Sequence, residues 1–359
     1  MVRQSLRRGK GGKGLKLLVL TQKVDRDDPV LGFFHGWLIE FARRFEQITV
    51  VCLEEGEHLL PQNVEVLSLG KELGASRFQY IGRFYRYLFS TRNRYESVLV
   101  HMNQEYVLLG GVFWWLLGKR IAFWYNHTYG NAFTRLAGHL SHVVLHTSPY
   151  AFTAVFRNAR RMPAGINTEL FSPRAGQAPK SRSVLFVGRL SPLKDLATLI
   201  DAVELLAKQD EPFSLTIVGE APERDRAHAE GLKGRATRLP SRVLVDFRGA
   251  ISNETLPDVY RAHEIFVNLT PSGNFDKSVL EAMSSGTLVV ASSRAFEEVL
   301  PVSCRFAPRD AKDLGEKLAA LFTLPENDKQ ALRIAFRDYA VSKHSLSELG
   351  ERLVQELSI

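Results

Sequence analysis

Short, continuous apolar runs recur along the chain, and between them apolar residues return at helical spacing. The runs are Lys16–Leu20, Ile48–Leu53, Val64–Leu67, Val98–His101, Ile121–Tyr125 and Val143–His146, then Val184–Val187, Leu215–Val218, Val243–Phe247, Ile265–Leu269 and Leu288–Ala291. Runs of this length without polar alternation read as strands buried on both faces, the pattern of a parallel sheet. Phe33, Phe34, Trp37, Leu38, Phe41 and Ala42 mark a helix through residue 45 behind the first run. Strands alternating with helices predict βαβ units.

The rhythm breaks once. Met162 to Pro173 interrupts it, and Arg174 to Ser183 is polar with Gly and Pro, which reads as a linker. The expectation is an α/β chain of two facing Rossmann-like domains with a ligand cleft between them. Its parts are a basic tail at 1–15, an N-terminal domain at 16–165, a linker at 166–183 and a C-terminal domain at 184–340. A last helix at 341–359 is expected to pack back toward the N-terminal domain.

Composition narrows this little: 359 residues suffice for two domains, and 45% hydrophobic with 24% charged residues is globular. The two cysteines, Cys52 and Cys304, form no disulfide framework and fit a reducing compartment. Charge is more informative. The net +8 is concentrated: residues 1–16 carry Arg3, Arg7, Arg8, Lys10, Lys13 and Lys16 without an acid, and 77–94 carry Arg77, Arg83, Arg86, Arg92 and Arg94 without an acid, leaving −3 for the rest. Either stretch suits an anionic membrane surface or a nucleic acid. No signal-peptide core follows the tail. The longest apolar run, Val107 to Gly118, is about 12 residues, short of the roughly 20 of a bilayer span.

Candidate chemistry gathers in the second half. Gly188-Arg189-Leu190-Ser191-Pro192-Leu193-Lys194-Asp195 follows the strand Val184–Val187. Its arginine suits a forked grip on phosphate oxygens and its lysine adds a point charge, with Ser191 or Asp195 as cap of the next helix. Pro271 to Gly286 lies between two strand runs and holds a polar turn and a short helix, with Asn274 or Asp276 as N-cap and Gly286 as stop. A helix N-terminus at a strand end offers backbone N–H groups to an anion. Lys277 and Glu281 are one turn apart, so both face the same way; the plain alternative is a surface ion pair.

Gly188-Arg189 with Lys194, Ile217-Val218-Gly219, Phe247-Arg248-Gly249 and Pro271 to Gly286, preceded by Pro163-Ala164-Gly165-Ile166-Asn167-Thr168-Glu169-Leu170-Phe171, stand in the order of a known family. In this the chain resembles retaining glycosyltransferase family 4, over most of 163–300. The resemblance implies a GT-B fold and transfer of a sugar from a nucleotide sugar to a glycan or lipid-linked acceptor, with retention and without metal or other cofactor. It implies that Arg189 and Lys194 hold the donor diphosphate and that Glu281, the second glutamate of a pair spaced eight apart, meets the ribose. Gly188, Gly249, Asn274, Phe275, Asp276, Lys277 and Ser278 complete the implied donor set, Gly32 stands for the family's glycine-rich turn, and His127 is placed near the transferred sugar. The first glutamate is replaced by Gly273, and Gly273-Asn274-Phe275-Asp276 stands where the family has Glu-Gly-Phe-Gly. That leaves open a nucleotide-sugar-binding protein without transfer activity, or an epimerase on the same fold.

Other patterns carry less. Gly9-Lys10-Gly11-Gly12-Lys13-Gly14 precedes its strand instead of following it. Asp25-Arg26-Asp27 reads as a solvated acidic loop, and His139, His142 and His146 lack partner ligands for a metal. Phe78, Ile81, Tyr85 and Leu88 interleave with the arginines of 77–94 at helical spacing, which suggests a membrane-surface helix on a cytoplasmic protein, peripheral at the inner face of the membrane. No nucleic-acid motif accompanies it.

Overall fold

The computed structural model describes residues 14–28, 30–208, 211–270, 273 and 275–358; most of the basic tail, and Asn274, lie outside them. The elements in chain order are β1 (Lys16–Val24), α1 (Gly32–Ala42), β2 (Gln47–Glu55), β3 (Val64–Ser68), α2 (Arg77–Thr91), β4 (Ser97–His101), α3 (Gln104–Leu116), β5 (Arg120–Trp124), α4 (Ala132–Leu140), β6 (Val143–His146) and β7 (Ala159–Arg161). After the linker come β8 (Lys180–Val187), α5 (Leu196–Leu206), β9 (Phe213–Val218), α6 (Arg226–Ala236), β10 (Val243–Phe247), α7 (Leu256–Ala262), β11 (His263–Asn268), α8 (Lys277–Ser284), β12 (Leu288–Ala291), α9 (Ala311–Thr323), α10 (Glu326–His344) and α11 (Leu346–Leu357).

Two parallel sheets result. The first runs β3-β2-β1-β4-β5-β6-β7 and the second β10-β9-β8-β11-β12. In each, the order reverses beside the first strand, at β1/β4 and at β8/β11, and such switch points open crevices at the carboxyl ends of strands. The strand period of two divides the N-terminal core. Leu17 and Val19 of β1 pack with Phe34, Trp37 and Phe41 of α1. Leu18 and Leu20 pack on the other side with Phe84, Leu88 and Trp114 of α2 and α3. The C-terminal domain has one continuous core.

Two expectations shift. The three-residue β7 was not foreseen: Ala159-Arg160-Arg161 has no apolar run, and its strand character comes from pairing with β6. β8 begins inside the stretch read as linker, because the Arg182 amide donates to Glu264 and the Glu264 amide to Ser183, side-chain bonds that give no apolar signature.

The chain crosses between domains twice. Residues 163–166 pass one way, and α10 ends at His344 so that α11, N-capped by Ser345, returns the other way. The crossings are bonded together, Ile166 N–H to His344 O at 2.7 Å and Leu346 N–H to Ile166 O at 2.8 Å. Leu349, Leu353 and Leu357 of α11 are buried in the N-terminal core.

Candidate functional site

Three glycine loops build one wall at the carboxyl ends of β8, β9 and β10. Gly188 N–H donates to Val218 O at 3.0 Å and Gly219 N–H to Gly249 O at 2.7 Å. At Gly219 φ is +131°, and a Cβ there would lie 2.0 Å from the carbonyl oxygen of Gly188, so only glycine allows the loops to stack. The wall lines a cavity of about 430 Å³ with Val30, Arg189, Glu220, Ile251 and Asn253. Arg189 is exposed and its guanidinium has no ion pair or hydrogen bond among the described residues. A guanidinium in a concave wall with its donors unspent is suited to an incoming anion.

Lys194 is different. It closes a short turn, Pro192–Lys194, and its Nζ lies 2.6 Å from Asp276 Oδ2 and 3.1 Å from Thr270 Oγ1. Asp276 also accepts from Thr270 Oγ1 at 2.7 Å and Asn268 Nδ2 at 2.9 Å. Burial raises its carboxyl, but Lys194 and these donors outweigh that and hold it below its usual range. Asp276 stands at the N-cap position of α8 yet makes no cap hydrogen bond; its oxygens are spent on Lys194, whose charge they offset. Asp195 likewise stands at the N-cap of α5 without capping an amide, and accepts from Thr198 Oγ1 instead.

The first two turns of α8 carry Lys277 and Glu281 into a second cavity of about 350 Å³ with Gly32, Phe33, Gly165 and Asn253. Asn253 therefore lines both cavities. No surface ion pair forms here. Lys277 Nζ reaches across to the N-terminal domain, donating to Ala164 O and lying 4.2 Å from the ring of Phe33 and 4.4 Å from that of Trp37. Burial pushes its ammonium down to about 7, with Glu281 opposing. Glu281 accepts from Tyr260 O–H at 3.2 Å, and burial pushes its carboxyl up to about 7, with Lys277 and Tyr260 opposing. Charged groups this enclosed remain responsive to a ligand that supplies the missing partner.

Other expected residues fall differently. Gly32 opens α1, and a Cβ there would lie 2.8 Å from Arg26 O and 3.2 Å from Asn253 Nδ2, so it lets the two domains approach. Ser278 follows Lys277, half-buried, its hydroxyl without a hydrogen bond among the described residues. The Phe275 side chain leaves the site: it stacks on Phe296 at 4.5 Å, with His344 4.8 Å away, leaving only its backbone to a ligand. His127 is exposed, stacked on Tyr129 at 5.3 Å, and lines neither cavity. Gly273 packs against the N-terminal domain, its carbonyl accepting from Ser148 Oγ and a Cβ there lying 2.5 Å from Tyr150 Cβ and Cγ.

Residues not foreseen include His101, which ends β4 beside Lys277. It is stacked on Phe34 at 4.5 Å, and burial, with the Lys277 charge, pushes it down to about 3. A polar residue at the end of a buried strand was its one sequence signal. Asn253, Glu220 and Tyr260 gave none.

Residues 181–323 match the family model described as Glycosyl transferases group 1. The D-inositol 3-phosphate glycosyltransferase of Streptomyces scabiei (strain 87.22) is 32% identical over 142 residues, covering 36% of this chain and 32% of that protein. The chain thus spans about a third of the length of the curated relatives it matches. Among solved structures, Anabaena HepE in complex with UDP is similar at a TM-score of 0.77 and 18% identity, over 96% of this chain and 100% of that one. Sucrose-phosphate synthase from Thermosynechococcus elongatus is similar at 0.75 and 18%, over 95% and 98%. With two doubly wound domains matched from end to end, the fold is GT-B, and its C-terminal half carries the match to glycosyl transferases group 1.

Proposed function

We propose that the protein is a retaining, metal-independent glycosyltransferase of family 4, moving a hexose from a nucleotide sugar to a hydroxyl of a glycan or lipid-linked acceptor. The observation that carries this reading is the unspent guanidinium of Arg189 in the glycine-loop wall, with the enclosed Lys277 and Glu281 beside it. Arg189 takes the donor diphosphate and stabilises the charge that builds on it as the sugar leaves. Lys194 acts through Asp276, fixing the start of α8 and completing the phosphate side when a dianion competes for it. Glu281 receives the ribose hydroxyls. The acceptor hydroxyl attacks from the face the diphosphate leaves, and a donor phosphate oxygen takes its proton. His127 is assigned no contact with the sugar in this arrangement.

A second reading, donor binding without transfer, is favoured by Gly273, which supplies no carboxylate at the sugar end. A thermal-shift panel of UDP-, GDP- and ADP-glucose, followed by assay of released and transferred glucose, separates the two. UDP-glucose comes first because HepE was solved in complex with it. One donor at 100 times its Kd is expected to stabilise the fold by about 2.7 kcal/mol and to be turned over. Stabilisation without release or transfer selects the second reading; no response to any donor removes both.

We further propose that the acceptor side docks on an anionic membrane. Among the described residues no helix is long and apolar enough to cross a bilayer. α2, α3 and α4 form one outer layer, with Phe89 of α2 against Phe113 of α3 at 4.7 Å and Thr134 of α4 bonded to Gln104 of α3. Phe78 of α2, Trp115 and Leu116 of α3 and Phe133 of α4 are 88%, 60%, 81% and 60% exposed. Residues 77–140 hold eight Lys or Arg against two Glu, and each base near an anionic surface contributes about 1 kcal/mol. Arg83 is committed to Leu69 O at 2.8 Å, so Arg77 and Arg86 are the ones to change. Arg77→Glu/Arg86→Glu is expected to weaken sedimentation with phosphatidylglycerol vesicles at least about tenfold; equal sedimentation of variant and parent sinks this docking face.

A further inference from the structure

A third cavity, of about 480 Å³, lies at the linker and shares no lining residue with the two described above. Its walls are linker residues 173–179, Arg261 of α7, Ser285 and Gly286 after α8, and the face of α10 that carries Glu326, Gln330, Arg333 and Arg337. Four guanidinium groups, those of Arg174, Arg261, Arg333 and Arg337, meet there. Two carboxylates answer them: Glu326 pairs with Arg333 at 2.5 Å, and Asp258 is shared between Arg261 at 2.7 Å and Arg174 at 3.2 Å. Two positive charges are left over.

Arg337 is the clearest case. It has no carboxylate partner among the described residues, and its Nη1 goes to the carbonyls of Ser284 and Phe171. Burial disfavours its charged form, with the neighbouring Asp338 opposing. Nearby, Arg261 Nε, Arg333 Nε and Ser285 Oγ are buried without a hydrogen-bond partner. Unsatisfied buried donors are rare and costly in native folds, and three of them belong to residues that line this one cavity. A charge surplus of two and unmet donors on three elements fit a small dianion, which guanidinium forks bind through paired N–H···O bonds.

We propose that this cavity is an anion site for inorganic phosphate or a phosphomonoester, separate from the cleft. Linker residues 173–179 form one of its walls, so the bound anion fastens the linker to α8 and α10 and acts on the pose of the two domains, not on the chemistry in the cleft. The proposal does not rest on the glycosyltransferase reading.

Calorimetry and thermal shift on the full chain test it, with phosphate and glycerol 3-phosphate as probes and chloride at matched ionic strength as control. Gln330 is exposed and its side chain makes no hydrogen bond among the described residues, so Gln330→Glu leaves every arginine contact in place while adding a competing carboxylate to the wall. Phosphate is expected to stabilise the parent, to do so equally in Arg189→Ala, and to bind at least about tenfold more weakly in Gln330→Glu, where like charge opposes it. Ser285→Ala, which removes one donor, is expected to weaken binding by a smaller factor. A response to glycerol 3-phosphate equal to that of phosphate makes a phosphomonoester the ligand, and a response to phosphate alone makes it the free ion. A response no larger than chloride overturns the proposal. So does one that Gln330→Glu leaves intact and Arg189→Ala abolishes, because the anion then sits in the cleft.

Discussion

Arg189→Ala is expected to lower the rate of sugar transfer by about 100- to 1,000-fold, the range seen when one preorganised donor to a developing negative charge is removed. The loss should fall on kcat more than on KM, because the diphosphate gains charge as the glycosidic bond breaks and the guanidinium meets it best at that point. The fold should scarcely notice. Arg189 is exposed and its side chain bonds to nothing among the described residues, and substitutions of that kind stay within about 0.5 kcal/mol. Arg189→Lys keeps a charge but not the fork, so it should recover only part of the rate. Initial rates with saturating donor, alongside a melting curve, decide the matter. Turnover equal to the parent would remove Arg189 from the donor site and with it the main support for the proposed function.

The contrast with Lys194 shows what the chain made legible and what it did not. The short apolar runs named as strands all coincide with strands, because a strand in the middle of a parallel sheet is apolar on both faces; the longer run from Val107 is instead the helix α3. The turns after those strands were legible for a related reason: a glycine such as Gly219, where any side chain would strike the next loop, stands out at a strand end. Partners were not legible. Lys194 and Asp276 are 82 residues apart, and Lys277 and Ala164 are 113 apart; helical spacing tells which residues share a face, not what that face meets. The reading of Lys277 and Glu281 as co-facing was right in direction. That Lys277 would turn toward Phe33 and Trp37 of the other domain follows only once the sheets are set opposite each other. The packing of the Phe275 ring was not legible for the converse reason. A large aromatic beside a polar turn suits a ligand or a core equally well, and here Phe296 and His344 supply the core.

Gly273→Glu, which restores the carboxylate found in the family this segment resembles, is expected to damage the protein instead of improving it. A Cβ at this position falls 2.5 Å from both Cβ and Cγ of Tyr150 and 2.7 Å from Cδ2. These atoms sit close to the backbone and cannot swing aside like the end of a flexible side chain. Tyr150 is itself held, with the Arg294 guanidinium 5.2 Å from its ring centre and its amide bonded to Ser148 Oγ at 3.1 Å. Forcing the overlap should cost about 1–3 kcal/mol, and separating the surfaces also loses the bond from Ser148 Oγ to the Gly273 carbonyl, about 1 kcal/mol more. The melting temperature should therefore fall by several degrees, and donor turnover should fall with it, because Gly273 stands three residues before Asp276. Tyr150→Gly/Gly273→Glu is the informative partner: with the overlap relieved, its destabilisation should be less than the sum of the two single changes. Gly273 is then the packing complement of Tyr150, its small size letting the two domains close at this edge. A Gly273→Glu variant as stable as the parent and faster in transfer would show that Tyr150 moves freely, and that the missing carboxylate, not packing, limits this site.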